Sequence, residues 1–418
     1  MGDVVPLKPG KSADWDKDLL KNKEKYVPCL KNVVLILAHR KEWHNVIAYD
    51  AFADRVVKMN PPPKPEGVGL DNEELGDWTK ADSSRAAVWI THEYNCPVPT
   101  HIVEEAVQVI ADIWVTHPVR DWLNEQRKKW DGKQRIDDFL IRVANAKDTL
   151  YVRSVTKNFF LSAVARVFHP GEKVDAMLIL EGEQNVGKSR LFRILAGDAW
   201  FFDSAFDPGS KDSYQVLKRK WIIEWAELDG LTRAEMSRIK AFVSSSVDTY
   251  RPTYAKQSID VPRQCVFVGT VNPDGAGYLN DPTGERRFWP VTVGKIDLRA
   301  VRDEREQLWA EAVARYRQNE PWHLHATKLV QAAAKETEKR RIRDPWEADV
   351  RAWLKKYEDE VVGGVTTEEL LGKAIKMPKD RRTRADQMRM VRVLRVLGWA
   401  ILKRSTDGSR RYLKGIKT

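Results

Sequence analysis

Cysteine is scarce in this chain: three in 418 residues, Cys29, Cys96 and Cys265, spread far apart. That number and spacing exclude a disulfide framework and a cysteine-based zinc site, and they fit a reducing cytoplasm. Long apolar runs are also missing. No stretch approaches the roughly 18 residues that a membrane-spanning helix needs, so no membrane is expected as a partner. The first residues, MGDVVPLKPGKSADWDKD, lack the apolar segment of a secretory leader. Internal repeats and low-complexity tracts are absent, which excludes a solenoid.

What the sequence does hold is enough apolar material for a folded protein. The apolar fraction is 42%, with 16 tryptophans. A mass of 48.1 kDa suits two or three domains with full cores. The net charge is +11, and it is concentrated: residues 364–418 carry 15 Lys/Arg against 5 Asp/Glu. A local excess of that kind is the electrostatic footprint of a phosphate-backbone binder, the alternative being a solvated tail.

Along the chain, residues 1–150 read as a mainly helical N-terminal region, interrupted by the loop NPPPKPEGVG at 60–69. In HIVEEAVQVIADIW the positions Ile102, Val103, Ala106, Val107 and Ile110 fall at helix spacing. LYVRSVTKNFFLSAVARVFH repeats the pattern with Val152, Val155, Phe159, Ala163 and Val167, and Pro170-Gly171 closes it.

The register changes near residue 175. DAMLILEG is a short apolar run with the look of a buried parallel strand. It leads into GEQNVGKS, which fits G-x-x-x-x-G-K-[ST] at Gly182, Glu183, Gln184, Asn185, Val186, Gly187, Lys188 and Ser189, with Arg190 next; a helix follows. The glycines let backbone N–H groups turn toward phosphate oxygens, at a helix N-terminus that carries partial positive charge. Lys188 would reach the outer phosphates of ATP and the Ser189 hydroxyl would ligate Mg2+. A second acid is needed for the metal and the attacking water. WIIEWAELDG offers Glu224, Glu227 and Asp229. Glu227 is the first choice, Glu224 could face the same site or the far side, and Asp229 could be a surface ion pair. A third strand, CVFVGT, ends at Asn272, which is either a sensor beside the nucleotide or a turn residue. Three such strands imply an α/β P-loop ATPase core, 151–335.

The blocks KVDAMLILEGEQNVGKS, WIIEWAELDGL, AFVSSSVDTYRPTYAK, PRQCVFVGTVN and DPTGERRFWPV, with HPVRDWL, WDGKQRIDDFL and FFLSAVARVFHPGEKVD upstream, resemble the virulence-associated E family. These are phage and prophage replication ATPases related to superfamily 3 helicases. The likeness runs from about 30 to 295, with no primase domain expected upstream. It implies an AAA+, superfamily 3-like ring hexamer with ATP between subunits. Arg286 and Arg287 match the arginines that reach the neighbour's ATP; the alternative is an internal pair with Asp281 or Glu285. It also implies a channel hairpin over 248–264, with Tyr254 to stack on bases and Lys256 and Arg251 to meet phosphates, the alternative being an ordinary surface hairpin. Lys240 matches a further phosphate-sensing position.

The last segment, 340–418, reads as three helices and a hairpin around Asp407-Gly408, a winged-helix-like pattern. In RADQMRMVRVLRVLGW the face Met388, Val391, Leu394 and Leu397 is expected to bury, leaving Arg389, Arg392 and Arg395 outside. Arg389 and Arg392, with Arg410 and Arg411, are the candidate DNA contacts, though winged helices also dock proteins. The expectation is a cytoplasmic ATPase of a bacterial host's phage or prophage: a DNA helicase on single-stranded or forked DNA, with replisome proteins as candidate partners. The rivals are a non-unwinding initiator that recruits a host replicase, and a signalling NTPase without a nucleic-acid role.

Overall fold

The structure is a computed structural model that describes residues 14–65, 74–204, 207–208, 210–226, 228, 232–251, 257–272, 277–279, 287–357, 364–401 and 410–414. Its centre is a five-stranded sheet: β1 Met177–Glu181, β2 Phe201–Phe202, β3 Ile222–Trp225, β4 Val266–Val271 and β5 Phe288–Thr292. The order is β5-β1-β4-β3-β2 and every neighbouring pair is parallel. A parallel sheet is covered on both faces, so its strands are apolar throughout rather than alternating. All five residues of β1 are buried. On one face Leu178, Leu180, Ile222 and Val268 pack with helices Leu150–Phe168, Lys188–Ala196 and Leu298–Arg317; on the other Met177, Ile179, Ile223 and Trp225 meet helix Arg233–Ser244. β5 contains Pro290 and pairs only with β1, the edge position where a missing N–H costs nothing.

Helix Leu150–Phe168 buries the expected face, Val152 to Val167, but also Phe160, Leu161, Val164 and Arg166. It is a core helix, wrapped on every side, and it stops before Gly171, whose φ is +85°.

Residues 14–116 form a second core, in which helices stand on a small sheet. Helices Leu30–His39, Lys80–Tyr94 and Thr100–Ile113 pack against a four-stranded sheet of Ile47–Asp50, Arg55–Lys58, Gly76–Asp77 and Val115–Thr116. The hairpin is local: Asp50 caps its turn by accepting from the N–H groups of Phe52 and Ala53. Residues 118–144, read from sequence with this region, pack elsewhere. Val119, Leu123, Ile136, Phe139 and Leu140 belong to the core of the central sheet.

The C-terminal unit has helices Trp346–Lys356, Thr367–Lys373 and Arg384–Val396 and an antiparallel pair, Trp399–Ile401 with Tyr412–Lys414. Thr366 with Glu369 and Thr383 with Asp386 form capping boxes. The buried face of the last helix is Met390, Val393 and Leu394, while Met388 is 52% exposed. Of the expected face, Leu394 is buried and Val391 and Leu397 pack against the same core, whereas Met388 turns outward and Met390 takes its place.

Candidate functional site

The loop after β1 owes its path to three positions. A Cβ on Gly182 would stand 2.6 Å from the Val293 carbonyl oxygen, so the strand can leave the sheet here only as glycine. Asn185 and Gly187 take φ of +64° and +104°, the left-handed conformation that Asn and Gly tolerate best. Gly187 then starts helix Lys188–Ala196 without a side-chain cap, leaving the first N–H groups turned to the loop mouth. The far side is pinned by Ile296 N–H donating to the Val186 carbonyl at 3.1 Å. Glu183, Gln184, Asn185, Ser189 and Arg190 are exposed along this rim.

The Lys188 ammonium, only 7% exposed, arches back over the loop. It donates to the carbonyls of Gly182 at 2.7 Å and Glu183 at 2.8 Å, and to Asn272 Oδ1 at 2.8 Å. Asn272 lies one residue past β4, level with the loop, because β4 runs parallel to β1.

Glu224 joins from β3. Strand alternation puts it on the same face as Ile222, the face covered by helix Lys188–Ala196. The Ser189 hydroxyl donates to Glu224 Oε1 at 2.7 Å and the Thr270 hydroxyl donates to the same oxygen at 2.6 Å. Oε2 is buried and has no hydrogen-bond partner among the described residues. Burial pushes the Glu224 pKa above the ordinary glutamate value, opposed by the two hydroxyls. A carboxyl group raised in this way is most compatible with the fold while protonated. Its contribution is present below the unfolded pKa and lost as pH rises through the folded one. Glu224→Gln is therefore expected to raise the melting temperature in EDTA, with a margin over the wild type that widens from acid to neutral pH; melts across that range check it.

Of the other expected site residues, Glu227, Asp229, Tyr254, Lys256 and Arg286 lie outside the described residues. Arg251 is exposed, one residue beyond the strand Val247–Tyr250, which pairs with Ile259–Pro262. That pairing supplies the base of the expected hairpin. Lys240 is buried, its ammonium 5.4 Å from the centre of the Phe288 ring. Arg287 stands half-buried just before β5, with Nε buried and without a hydrogen-bond partner among the described residues.

Sequence reasoning missed two groups. One is Thr270, an unremarkable strand residue. The other is the pair at the loop's root. The Glu181 carboxylate accepts from Arg340 through two bonds at 2.6 and 2.5 Å, from Tyr278 at 2.8 Å and from Thr292 at 3.0 Å. The signal was an acid ending an apolar run, which needs a partner. The partner, 159 residues away, had no local mark. Beside this pair lies a cavity of about 690 Å³ bordered by Asn145, Tyr151, Tyr278, Gly294 and Arg340. Glu181, the last strand residue before the loop, also lines it. Arg340→Met is expected to cost about 3–5 kcal/mol, because it strands a buried carboxylate; chemical denaturation measures this.

In the C-terminal unit Arg389 is engaged internally. It makes two bonds to Asp344, at 2.8 and 2.7 Å, and its guanidinium lies 3.9 Å from the Trp346 ring centre. Arg392, Arg395 and Arg410 are exposed and Arg411 is half-buried. Among the described residues no cluster of three or more His, Cys, Asp or Glu could hold a metal ion, and no helix is long and apolar enough to cross a membrane.

The chain was compared with known proteins. Its fold is similar to the A form apo structure of the NrS-1 C terminal region (305–718), with TM-score 0.39, 11% identity, and 69% of this chain against 78% of that one. A second apo structure of that region gives TM-score 0.35 and 11% identity over 71% and 76%. Another A form apo structure gives 0.37 and 13% over 70% and 75%. No curated protein matches the sequence. The model of the virulence-associated protein E-like domain matches residues 123–342. That stretch runs from the helices packed beneath the central sheet, through the Gly182–Ser189 loop, to the Glu181–Arg340 pair, and it is more than half of the 418 residues. The chain belongs to the virulence-associated protein E-like family.

Proposed function

We propose that this chain is a P-loop ATPase that acts on DNA in phage or prophage replication, as a superfamily 3-like helicase whose ATP sits between subunits of a ring. The observation that carries the reading is the convergence at one sheet edge of Lys188, Ser189, Glu224 and Asn272, from a helix and two strands, around a glycine-bounded loop. Ligands of open parallel sheets bind at the carboxyl ends of the strands, where these residues gather.

The residues fit MgATP. The loop's unbonded N–H groups suit phosphate oxygens, and Lys188 is close enough to exchange its loop carbonyls for the outer phosphates. Ser189 and Glu224 are the metal's protein partners, a small set that suits Mg2+, which keeps several waters and uses one or two carboxylates. The orphaned Oε2 of Glu224 supports this, because a buried carboxylate oxygen without a donor is costly unless a cation is its customary partner. Mg2+ bound there supplies neutralisation of charge on the phosphates. Glu224 takes the metal-facing role that sequence assigned first to Glu227, and Glu227 remains a candidate for orienting the attacking water.

DNA is read as the track. The hairpin Val247–Pro262 would carry Tyr254 and Lys256 toward it, with base stacking that is indifferent to sequence. The C-terminal unit is read as a winged helix whose exposed Arg392, Arg395 and Arg410 meet the phosphate backbone. Arg389 is withdrawn from that set, since its charge is spent on Asp344. Replisome proteins remain possible partners of the same unit.

The test is ATP hydrolysis with and without forked DNA, together with strand separation. Unwinding supports the helicase. Hydrolysis that leaves the fork paired supports the non-unwinding initiator, and no salt-dependent DNA binding removes both. Lys256→Ala is expected to lose the DNA-stimulated part of hydrolysis; normal stimulation would remove the channel hairpin.

A further inference from the structure

We propose that Thr270 is a positioning residue: it saturates one oxygen of Glu224 so that the other is held toward a divalent cation. The inference rests on the nucleotide reading above and adds to it a residue that the phosphate-loop pattern does not contain.

The geometry is asymmetric. Both hydroxyls, Ser189 at 2.7 Å and Thr270 at 2.6 Å, donate to Oε1, and Oε2 receives nothing from the described residues. A buried carboxylate normally spreads its donors over both oxygens. The two hydroxyls also differ in kind. Ser189 stands on an exposed helix start and is free to turn toward a metal. Thr270 is 6% exposed in the middle of the sheet, flanked along β4 by Gly269 and Val271. As a β-branched residue in a strand its χ1 is stiff, so its hydroxyl direction is set by the backbone. β4 lies between β1, which carries the loop, and β3, which carries Glu224. Thr270 thus ties the carboxylate to the strand beside the loop, whatever Ser189 does. Gly269 shows how tight this stretch is: a Cβ there would come within 2.6 Å of Leu228 Cδ1.

The work of Thr270 is done on the acid and not on the nucleotide, so its removal should be felt as a weaker grip on the metal. Partners that orient metal ligands are worth about 10–100-fold in metal affinity. The test uses the full chain and a fluorescent ATP analogue, titrated with MgCl2 and separately measured in EDTA. Thr270→Val, which keeps the shape and drops the hydroxyl, is expected to raise the half-saturating Mg2+ concentration by about 10–100-fold and to leave binding in EDTA at the wild-type level. Thr270→Ser, which keeps the hydroxyl, is expected to restore the wild-type Mg2+ requirement. An unchanged Mg2+ requirement in the valine variant overturns the proposal. So does an equal loss with and without Mg2+, or a serine variant as impaired as the valine one, because each of these points to packing alone. If the valine variant fails to fold, Thr270→Ala is titrated in the same way and judged by the same outcomes. The underlying reading fails separately: a wild-type chain that binds the analogue no better with Mg2+ than in EDTA has no metal-nucleotide site to position.

Discussion

Lys188→Ala is expected to lower ATP hydrolysis by about 10²–10³-fold, the usual consequence of deleting one preorganised charged donor at a reacting phosphate, while the fold survives. Both halves follow from its surroundings. Lys188 is buried, but its acceptors are two loop carbonyls and the Asn272 amide at the rim of the sheet, which water can reach once the side chain is gone. The hydrophobic packing of helix Lys188–Ala196 rests on Leu191, Phe192, Leu195 and Ala196, none of which is touched. Steady-state hydrolysis measures the first half and thermal melting the second. A variant that melts with the wild type and still hydrolyses ATP at the wild-type rate would take the phosphate site away from this loop. Asn272→Ala gives a graded companion. It removes one acceptor of the Lys188 ammonium and should impair turnover less than loss of the cation itself.

The residues that sequence could place are those whose chemistry is written locally. Gly182, Gly187, Lys188 and Ser189 are fixed by spacing within one loop, with an apolar strand before and a helix after. The capping boxes at Thr366 and Thr383 are legible for the same reason. Where the answer depends on a phase, sequence leaves it open. Glu224 and Glu227 are both acids near the end of one apolar run. Only strand alternation, with Ile222 and Glu224 facing the helix that carries Ser189, brings one of them to the hydroxyl. Met388 and Met390 pose the same problem on a helix. The strands at 47–50 and 55–58 leave that stretch readable as helical or mixed, because each is four residues long, too short for a period of two to stand out from a helical one. Pairings across the fold, Arg340 with Glu181 and Thr270 with Glu224, leave no trace in the order of residues. Thr270 meets Glu224 because β4 lies beside β3, and Arg340 reaches Glu181 from the end of helix Thr327–Lys339. The two arginines before β5 are a mixed case: their charge is plain in the sequence, whereas nothing in the order of residues names the anion they meet.

That anion can be identified by mixing variants. Arg286→Ala and Arg287→Ala are each expected to be measured alone and then combined in equal amounts with Lys188→Ala. Alone, the variant lacking the finger should lose about 10³–10⁵-fold in turnover, the range for an arginine that meets a transferring phosphoryl group. In a closed ring with head-to-tail interfaces, random mixing gives an intact Lys188 facing an intact arginine at about one interface in four. Activity in the mixture should therefore return to about a quarter of the wild type if the arginine acts on the neighbour. If it acts within its own chain, no subunit in the mixture carries both parts, and activity stays at the level of the variants. The surroundings of Arg287 are the reason to look for the anion on a neighbour. Phe288 is buried in the core, and β5 itself holds no acid that could neutralise Arg287. Arg287 keeps a buried Nε without a partner among the described residues, a cost that a phosphate from the adjoining subunit would relieve. Recovery in only one of the two mixtures assigns the finger, and recovery in neither returns both arginines to the interior of a single chain.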